Sequence, residues 1–321
     1  MQTLFLALFG VAIHAFASAS PSPTSVVSLL VSSGHKPGIS RIPTAPPRQG
    51  DKRKQAKQKK TKVVKRPAKK NTVSTTKTVR KRTAVVAAAP KNPRKPLSGT
   101  VYYLASGHGG PDPGALGRYG KYLLPEDEYA YDVTIRLSEY LKQLGATVYM
   151  IIKDPNDGIR NEAVLKLDHD EVAYPNQRIP LNHVARLSQT TTAVNRLHAK
   201  HKGAYQRFIT IHVDSRSKGQ NIDVFFYHHE QNAAGKRLAY HIHKRFTANY
   251  RRHQPDRPYS GNVTPRGSLY VVRNSHPPTV FIELGNIQSA QDQKRFLIAD
   301  NRQALANWLA QGILDDYRSR K

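Results

Sequence analysis

From about Leu97 to its C-terminus the sequence alternates between short apolar runs and longer segments with helical periodicity, and this alternation constrains the fold most. The apolar runs are continuous in Val, Ile, Phe and Tyr, as in strands buried on both faces. They lie at residues 100–105, 147–152, 208–213, 223–227, 269–273 and 279–284. The helical patterns between them cover residues 127–144, 181–201, 233–250 and 290–314. We therefore predict an α/β fold, a single domain with a central, largely parallel twisted sheet flanked by helices.

The composition changes sharply on the N-terminal side of this domain. Residues 36–98 contain 21 Lys and Arg and one acid, Asp51, so this segment carries about +20 of the chain's formal net charge of +29. Such dense like charge repels itself and cannot bury apolar surface, which is typical of disordered chain. We predict that residues 20–97 form a disordered basic linker that precedes the folded domain at residues 98–321.

The first residues of the chain are apolar from Leu4 to Phe16, a run too short to span a bilayer. Small residues at Ala17 and Ala19 suit a signal peptidase, so residues 1–19 are interpreted as a signal peptide, although no Lys or Arg precedes the apolar run. The alternative is an apolar segment that is retained as an anchor. A signal peptide predicts a secreted protein of the periplasm or cell envelope. The chain has no cysteine, which excludes disulfides and thiolate metal sites.

Two histidines follow predicted strands. His108 lies in the glycine-rich segment Ser106-Gly107-His108-Gly109-Gly110, directly after the first strand, and His212 ends the run Phe208-Ile209-Thr210-Ile211-His212. In open α/β sheets ligands bind beyond the carboxyl ends of the strands, so these two imidazoles can converge on one metal ion. The alternative is a structural histidine in a tight turn. A phosphate-binding loop is excluded because no Gly-Lys-Ser/Thr sequence follows.

Three carboxylates complete the candidate chemistry. Glu126 and Glu128 follow Pro125 at the start of a predicted helix, where acids also occur simply because they favour the helix dipole. Glu283 stands alone in the apolar strand Val280-Phe281-Ile282-Glu283-Leu284, and burying a carboxylate is costly without a cation, a proton or a reaction to explain it. Two histidines and one carboxylate leave a zinc position open for water, and a further glutamate can then act as general base.

These residues resemble the zinc-dependent N-acetylmuramoyl-L-alanine amidases over about residues 99–315. The family's strand followed by Gly-His-Gly-Gly-x-Asp-x-Gly-Ala is similar to the segment after the first strand, which implies His108 as a metal ligand. Its helix-opening glutamate is matched by Glu126, and its Ser-Ile-His-Ala-Asp strand resembles the segment that contains His212. Its final Glu-x-Gly-Phe-x-Ser-Asn motif is similar to the segment that begins at Glu283, which implies Glu283 as the catalytic carboxylate.

The chain departs from the family pattern at three places. The turn between Ala115 and Glu126 is a few residues longer than expected, which leaves Glu128 as a rival ligand. Asn286 replaces the family's Phe, and residues 153–180 look like an insertion. Long segments of this kind are usually functional or mobile, and the alternative is an ordered excursion without a role in the chemistry.

The resemblance implies a zinc amidase catalytic domain that hydrolyses the amide bond between the lactyl group of N-acetylmuramic acid and L-alanine in peptidoglycan. Zn²⁺ is the implied cofactor, held by His108, Glu126 and His212. The alternatives are another zinc peptidase or amidohydrolase of cell-wall peptides, and a basic nucleic-acid-binding protein, which a secretion signal and the lack of interleaved aromatics in the linker disfavour.

The basic linker also predicts partners. Its charge is expected to attract anionic envelope polymers and peptidoglycan carboxylates through long-range electrostatics, and the alternative is a solvated spacer. The resemblance leaves room for a protein activator. We expect a monomer that binds no nucleic acid.

Overall fold

A computed structural model describes residues 94–215 and 221–320 of the chain. The predicted signal peptide at residues 1–19 and nearly all of the predicted linker at residues 20–97 lie outside this described part. The strands of the described part, in chain order, are β1 (Thr100–Ser106), β2 (Leu116–Tyr119), β3 (Tyr122–Pro125), β4 (Thr147–Met150), β5 (Ile152–Lys153), β6 (Val172–Ala173), β7 (Gln177–Arg178), β8 (Tyr205–Asp214), β9 (Phe225–His228), β10 (Asn262–Pro265) and β11 (Thr279–Asn286). Its helices are α1 (Glu126–Gln143), α2 (His183–Lys200), α3 (Ala233–His253), α4 (Tyr270–Asn274), α5 (Ala290–Leu297) and α6 (Ala299–Arg318).

Six of these strands form the central sheet, in the order β10-β9-β11-β8-β1-β4. Each neighbouring pair is parallel except β9 and β11, which are antiparallel. Strands β2 and β3 form a separate hairpin, and β5, β6 and β7 form a small antiparallel sheet. The predicted fold class, an α/β domain with a largely parallel central sheet, is confirmed.

Both faces of the sheet are covered, which explains the continuous apolar runs. On β1, Tyr102 and Leu104 belong to a buried cluster that includes residues of α1, α3 and α6. The alternate residues Val101 and Tyr103 belong to a second buried cluster that includes residues of α2 and α4. Because side chains alternate across a strand, both sets must be apolar when each face packs against helices.

Within the described residues, none of the helices is long and apolar enough to cross a membrane.

Two sequence predictions were wrong in this part of the chain. Residues 269–273, predicted as a strand, contain most of helix α4, and the consecutive residues Val271 and Val272 are both buried in the same cluster. A strand would send these neighbours to opposite faces, so one-sided burial favours the helix over the local β propensity. The helix predicted at residues 290–314 is two helices, because Ile298 is extended between them.

The segment at residues 153–180 is ordered and packs against α1 and α6. The fully buried Arg302 donates from Nη2 to the carbonyl oxygens of Arg160, at 2.7 Å, and Glu162, at 3.0 Å. Nη2 of Arg136 also donates to the carbonyl of Arg160, at 2.6 Å. These bonds replace regular secondary structure as partners for the backbone of this segment, which is why a long irregular stretch can hold one conformation.

Candidate metal centre and active site

His108, Glu126 and His212 meet beyond the carboxyl ends of the central strands. His108 follows β1, His212 lies near the end of β8, and Glu126 is the first residue of α1. Nε2 of His108 is 3.3 Å from Oε2 of Glu126, and Nδ1 of His212 is 3.0 Å from Oε1 of the same carboxylate. One ligand atom from each of the three residues lies within 4.8 Å of the others, close enough to share one metal ion.

Two glycines permit this convergence. A Cβ atom at Gly107 would lie 2.2 Å from Nδ1 of His212, and one at Gly114 would lie 2.7 Å from Oε2 of Glu126. Gly114 also has a φ of +69°, a conformation that side chains rarely adopt. Gly107 and Gly114 are therefore explained by the close approach of the backbone to the three candidate ligands.

Hydrogen bonds hold the candidate ligands in place. Nδ1 of His108 is 2.7 Å from Oδ2 of Asp112, which can only accept when ionised, so this nitrogen donates and Nε2 faces Glu126. Arg186 of α2 donates to the same oxygen of Asp112. Sequence reasoning missed both positioning residues. Asp112 belongs to the glycine-rich motif and could have been recognised there. Arg186 has no such signal, because it is 74 residues from Asp112 in the sequence.

The three candidate ligands strongly shift one another's pKa values. Burial disfavours the imidazolium of His108, but its hydrogen bonds to Asp112 and Glu126 outweigh this and raise its pKa to about 10. Burial would raise the pKa of Glu126, yet the two histidines hold it well below its ordinary value. Burial lowers the pKa of His212, and Glu126 opposes this only in part. The centre thus attracts positive charge to a site with nitrogen and oxygen donors, a set that suits zinc, which would displace the proton of His108.

Glu283 shares a cleft with these residues. It lies in β11 opposite His212 of β8, and the ring of Phe281 stacks on that of His212 with centroids 4.2 Å apart. The cleft has a volume of about 750 Å³ and also exposes Arg186, Tyr270 and Arg273 from α2 and the α4 region. A substrate in this cleft can therefore contact the candidate metal centre and the Glu283 carboxylate together.

Glu128, the rival ligand, faces another part of the protein. Its Oε2 accepts from Nη1 of Arg160 at 2.7 Å, and its Oε1 accepts from the backbone N–H of Asp168 at 2.9 Å.

Asn286, which stands where the family has Phe, is buried, and its side-chain oxygen accepts from the backbone N–H of Gln288 at 2.9 Å. This departure thus stabilises the turn after β11.

An α/β domain with two histidines and two glutamates in one cleft at the carboxyl ends of its strands has the arrangement of a metal-dependent hydrolase. The family model described as N-acetylmuramoyl-L-alanine amidase matches residues 103–315, about two thirds of the sequence. The chain belongs to this family, and the resemblance stated from its motifs is confirmed.

The chain is also similar to a shorter stretch of one sequence relative and to solved structures. A germination-specific N-acetylmuramoyl-L-alanine amidase from Bacillus subtilis is 45% identical over 62 residues, which are 19% of this chain. The match spans 24% of that relative, about a quarter of its length. The CwlD amidase from Clostridioides difficile, solved in complex with the GerS lipoprotein, has a TM-score of 0.51 at 17% identity, over 68% of this chain and 99% of that chain. An N-acetylmuramyl-L-alanine amidase from Mycobacterium smegmatis has a TM-score of 0.50 at 17% identity, over 70% and 99% of the two chains. These two structures share the fold.

Proposed function

We propose that this protein is a zinc-dependent amidase that hydrolyses the bond between the lactyl group of N-acetylmuramic acid and L-alanine in peptidoglycan. The observation that carries the proposal is the convergence of His108, Glu126 and His212 in the cleft that also contains Glu283. Membership of the N-acetylmuramoyl-L-alanine amidase family supports the choice of this amide bond over other cell-wall peptide bonds.

The roles of the side chains follow from their positions. His108, Glu126 and His212 would hold zinc, which supplies a Lewis acid that polarises the carbonyl and lowers the pKa of water. Asp112 keeps Nδ1 of His108 protonated, which would leave Nε2 to bind the metal. The Glu283 carboxylate would take one proton from the attacking water and pass it to the amide nitrogen as the C–N bond breaks. The second proton of the water also ends on the leaving nitrogen, so the products are a lactyl carboxylate and L-alanine with a protonated amino group.

Product analysis tests the bond that is cut. Purified peptidoglycan digested by the full chain is expected to release peptides that begin with a free L-alanine amine and lack N-acetylmuramic acid. Mass spectrometry of the soluble products measures this directly. Products that keep the lactyl amide and are cleaved within the stem peptide would contradict the proposal and identify a cell-wall peptidase.

The substrate also bears on location. Peptidoglycan lies outside the cytoplasmic membrane, so we propose that the protein acts in the periplasm or cell envelope and that residues 1–19 direct its export.

We further propose that the basic segment at residues 20–97 tethers the enzyme to anionic envelope polymers, because its charge of about +20 is dense but has no pattern that would make it specific. A protein activator stays a prediction.

Salt dependence tests the tether. Below about 50 mM salt the full chain should bind purified sacculi at least several-fold more tightly than a chain that begins at Leu97, and the advantage should shrink toward 200 mM salt because charged partners release counterions. Cosedimentation with sacculi measures binding. Both chains should hydrolyse small soluble muropeptides equally, which is the control for an intact catalytic domain. Equal binding of both chains at low salt would show that the basic segment is only a spacer.

A further inference from the structure

A second cluster of acids lies beside the proposed zinc ligands, where α1 meets the segment at residues 153–180. It contains three overlapping groups of three residues. In each group, one oxygen from every residue lies within 4.8 Å of the corresponding oxygens of the other two residues. The six members are Asp127, Glu128, Asp154, Asp157, Asp168 and Glu171. These groups contain only carboxylates, in contrast to the mixed histidine and glutamate set of the proposed zinc site.

Several of these carboxylates are deeply buried with an oxygen that no described residue satisfies. Asp127 is 1% exposed and Asp154 is 2% exposed. Within the described part of the chain, no hydrogen-bond donor reaches Oδ2 of Asp127, Oδ2 of Asp154 or Oδ1 of Asp168. Buried carboxylate oxygens without a partner cost free energy, so each of these atoms points to a ligand.

The cluster is short of positive charge. Among the described residues, its ion pairs with Lys or Arg are those of Arg160, whose Nη1 donates to Oε2 of Glu128 at 2.7 Å and also to Asp157. One guanidinium does not balance six carboxylates, several of which are buried. Burial and neighbouring acids accordingly raise the pKa of Asp154 and of Asp168. A bound cation would remove this cost.

Two backbone N–H groups orient the carboxylate of Asp154. Its Oδ1 accepts from the backbone N–H of Asn156 at 3.0 Å and of Asp157 at 2.7 Å, which fixes the carboxylate and leaves Oδ2 for a ligand. Hard divalent cations take carboxylate oxygens, and Ca²⁺ accommodates six to eight of them in irregular geometry, whereas Mg²⁺ demands a near-ideal octahedron. We propose that Asp154, Asp168 and Glu171, with oxygens from neighbouring carboxylates of the cluster, form a calcium site, distinct from the proposed zinc site, that stabilises the segment at residues 153–180.

The cluster is connected to the turn that carries His108. Oε2 of Glu171 accepts from the backbone N–H of Gly110 at 2.6 Å, and Nδ1 of His169 is 2.7 Å from the carbonyl oxygen of the same glycine. Calcium bound by Glu171 and its neighbours would therefore also hold the glycine-rich turn in place. The segment at residues 153–180 would then support the catalytic centre rather than form a passive excursion.

Calcium binding to the zinc-loaded full chain tests the proposal. The protein is freed of calcium with a chelating resin, its zinc content is checked by elemental analysis, and CaCl₂ is added in equilibrium dialysis. We expect one Ca²⁺ per chain without loss of zinc. The melting temperature should rise by about 5 °C or more when Ca²⁺ exceeds its dissociation constant by about 100-fold, and less with equimolar Mg²⁺. No Ca²⁺ binding at millimolar concentration would overturn the proposal, and tighter binding of Mg²⁺ would overturn the assignment to calcium.

A matched pair of variants locates the site. Asp154→Asn keeps an oxygen that accepts the two backbone N–H groups but removes the charge, so it should weaken Ca²⁺ binding by about tenfold or more. Without calcium its melting temperature should equal or exceed that of the wild type, because repulsion is relieved. The exposed Asp256→Asn should bind Ca²⁺ normally. Wild-type Ca²⁺ binding by Asp154→Asn would place the cation elsewhere. If that variant does not fold, Asp168→Asn makes the same test.

Discussion

Replacement of Glu283 by Gln is expected to reduce peptidoglycan hydrolysis by about 100-fold or more while the fold and the zinc content stay unchanged. The amide keeps the size of the side chain but cannot accept the proton of the attacking water. Glu283 lies in the cleft opposite His212, so it can reach a substrate without being needed to assemble the three candidate ligands.

The measurement is the release of soluble fragments from purified sacculi, together with zinc analysis and thermal unfolding of the same preparation. The matched control is Glu139→Gln, because Glu139 is exposed on α1 and pairs with Lys142 at the surface. It should keep wild-type activity. A near wild-type rate for Glu283→Gln would show that another group takes the proton, and the mechanism proposed here would be wrong.

Loss of the metal is expected to reduce activity by about 100-fold or more, with recovery when Zn²⁺ is added back, since the proposed chemistry depends on polarisation of the carbonyl and the water. His212→Ala should behave like the chelated protein and should not recover at the same zinc concentration. Elemental analysis and activity on sacculi are measured together. Full activity in a preparation shown to be free of metal would exclude the proposed centre.

The two neighbouring glutamates of α1 supply the matched comparison. Glu126→Gln should lower zinc content, since the carboxylate oxygens of Glu126 lie 3.3 Å from Nε2 of His108 and 3.0 Å from Nδ1 of His212. Glu128→Gln should keep zinc, because Glu128 contacts Arg160 and the backbone of Asp168 instead. The reverse ranking would move the metal ligand by two residues along the helix.

Much of the fold and the outline of the site could be predicted from local patterns. The continuous apolar runs predict strands covered on both faces, and the central sheet has this arrangement. His108 and His212 could be placed together because the carboxyl ends of parallel strands meet at one edge of the sheet. Helix α4 could not be predicted, since it depends on the burial of both Val271 and Val272 in a cluster built from residues distant in the sequence.

The sequence by itself determined the class of fold, the family and the residue types of the candidate centre, because strand periodicity and motif order are local properties. It left Glu126 and Glu128 as rivals, and only the tertiary structure separates them. Two residues along a helix differ by about 200° in direction, so the two carboxylates must face opposite sides. The docking of α1 against β8 turns Glu126 toward the histidines and Glu128 toward the acids of residues 153–180. Local sequence contains no record of that docking, because it is set by contacts between segments far apart in the chain.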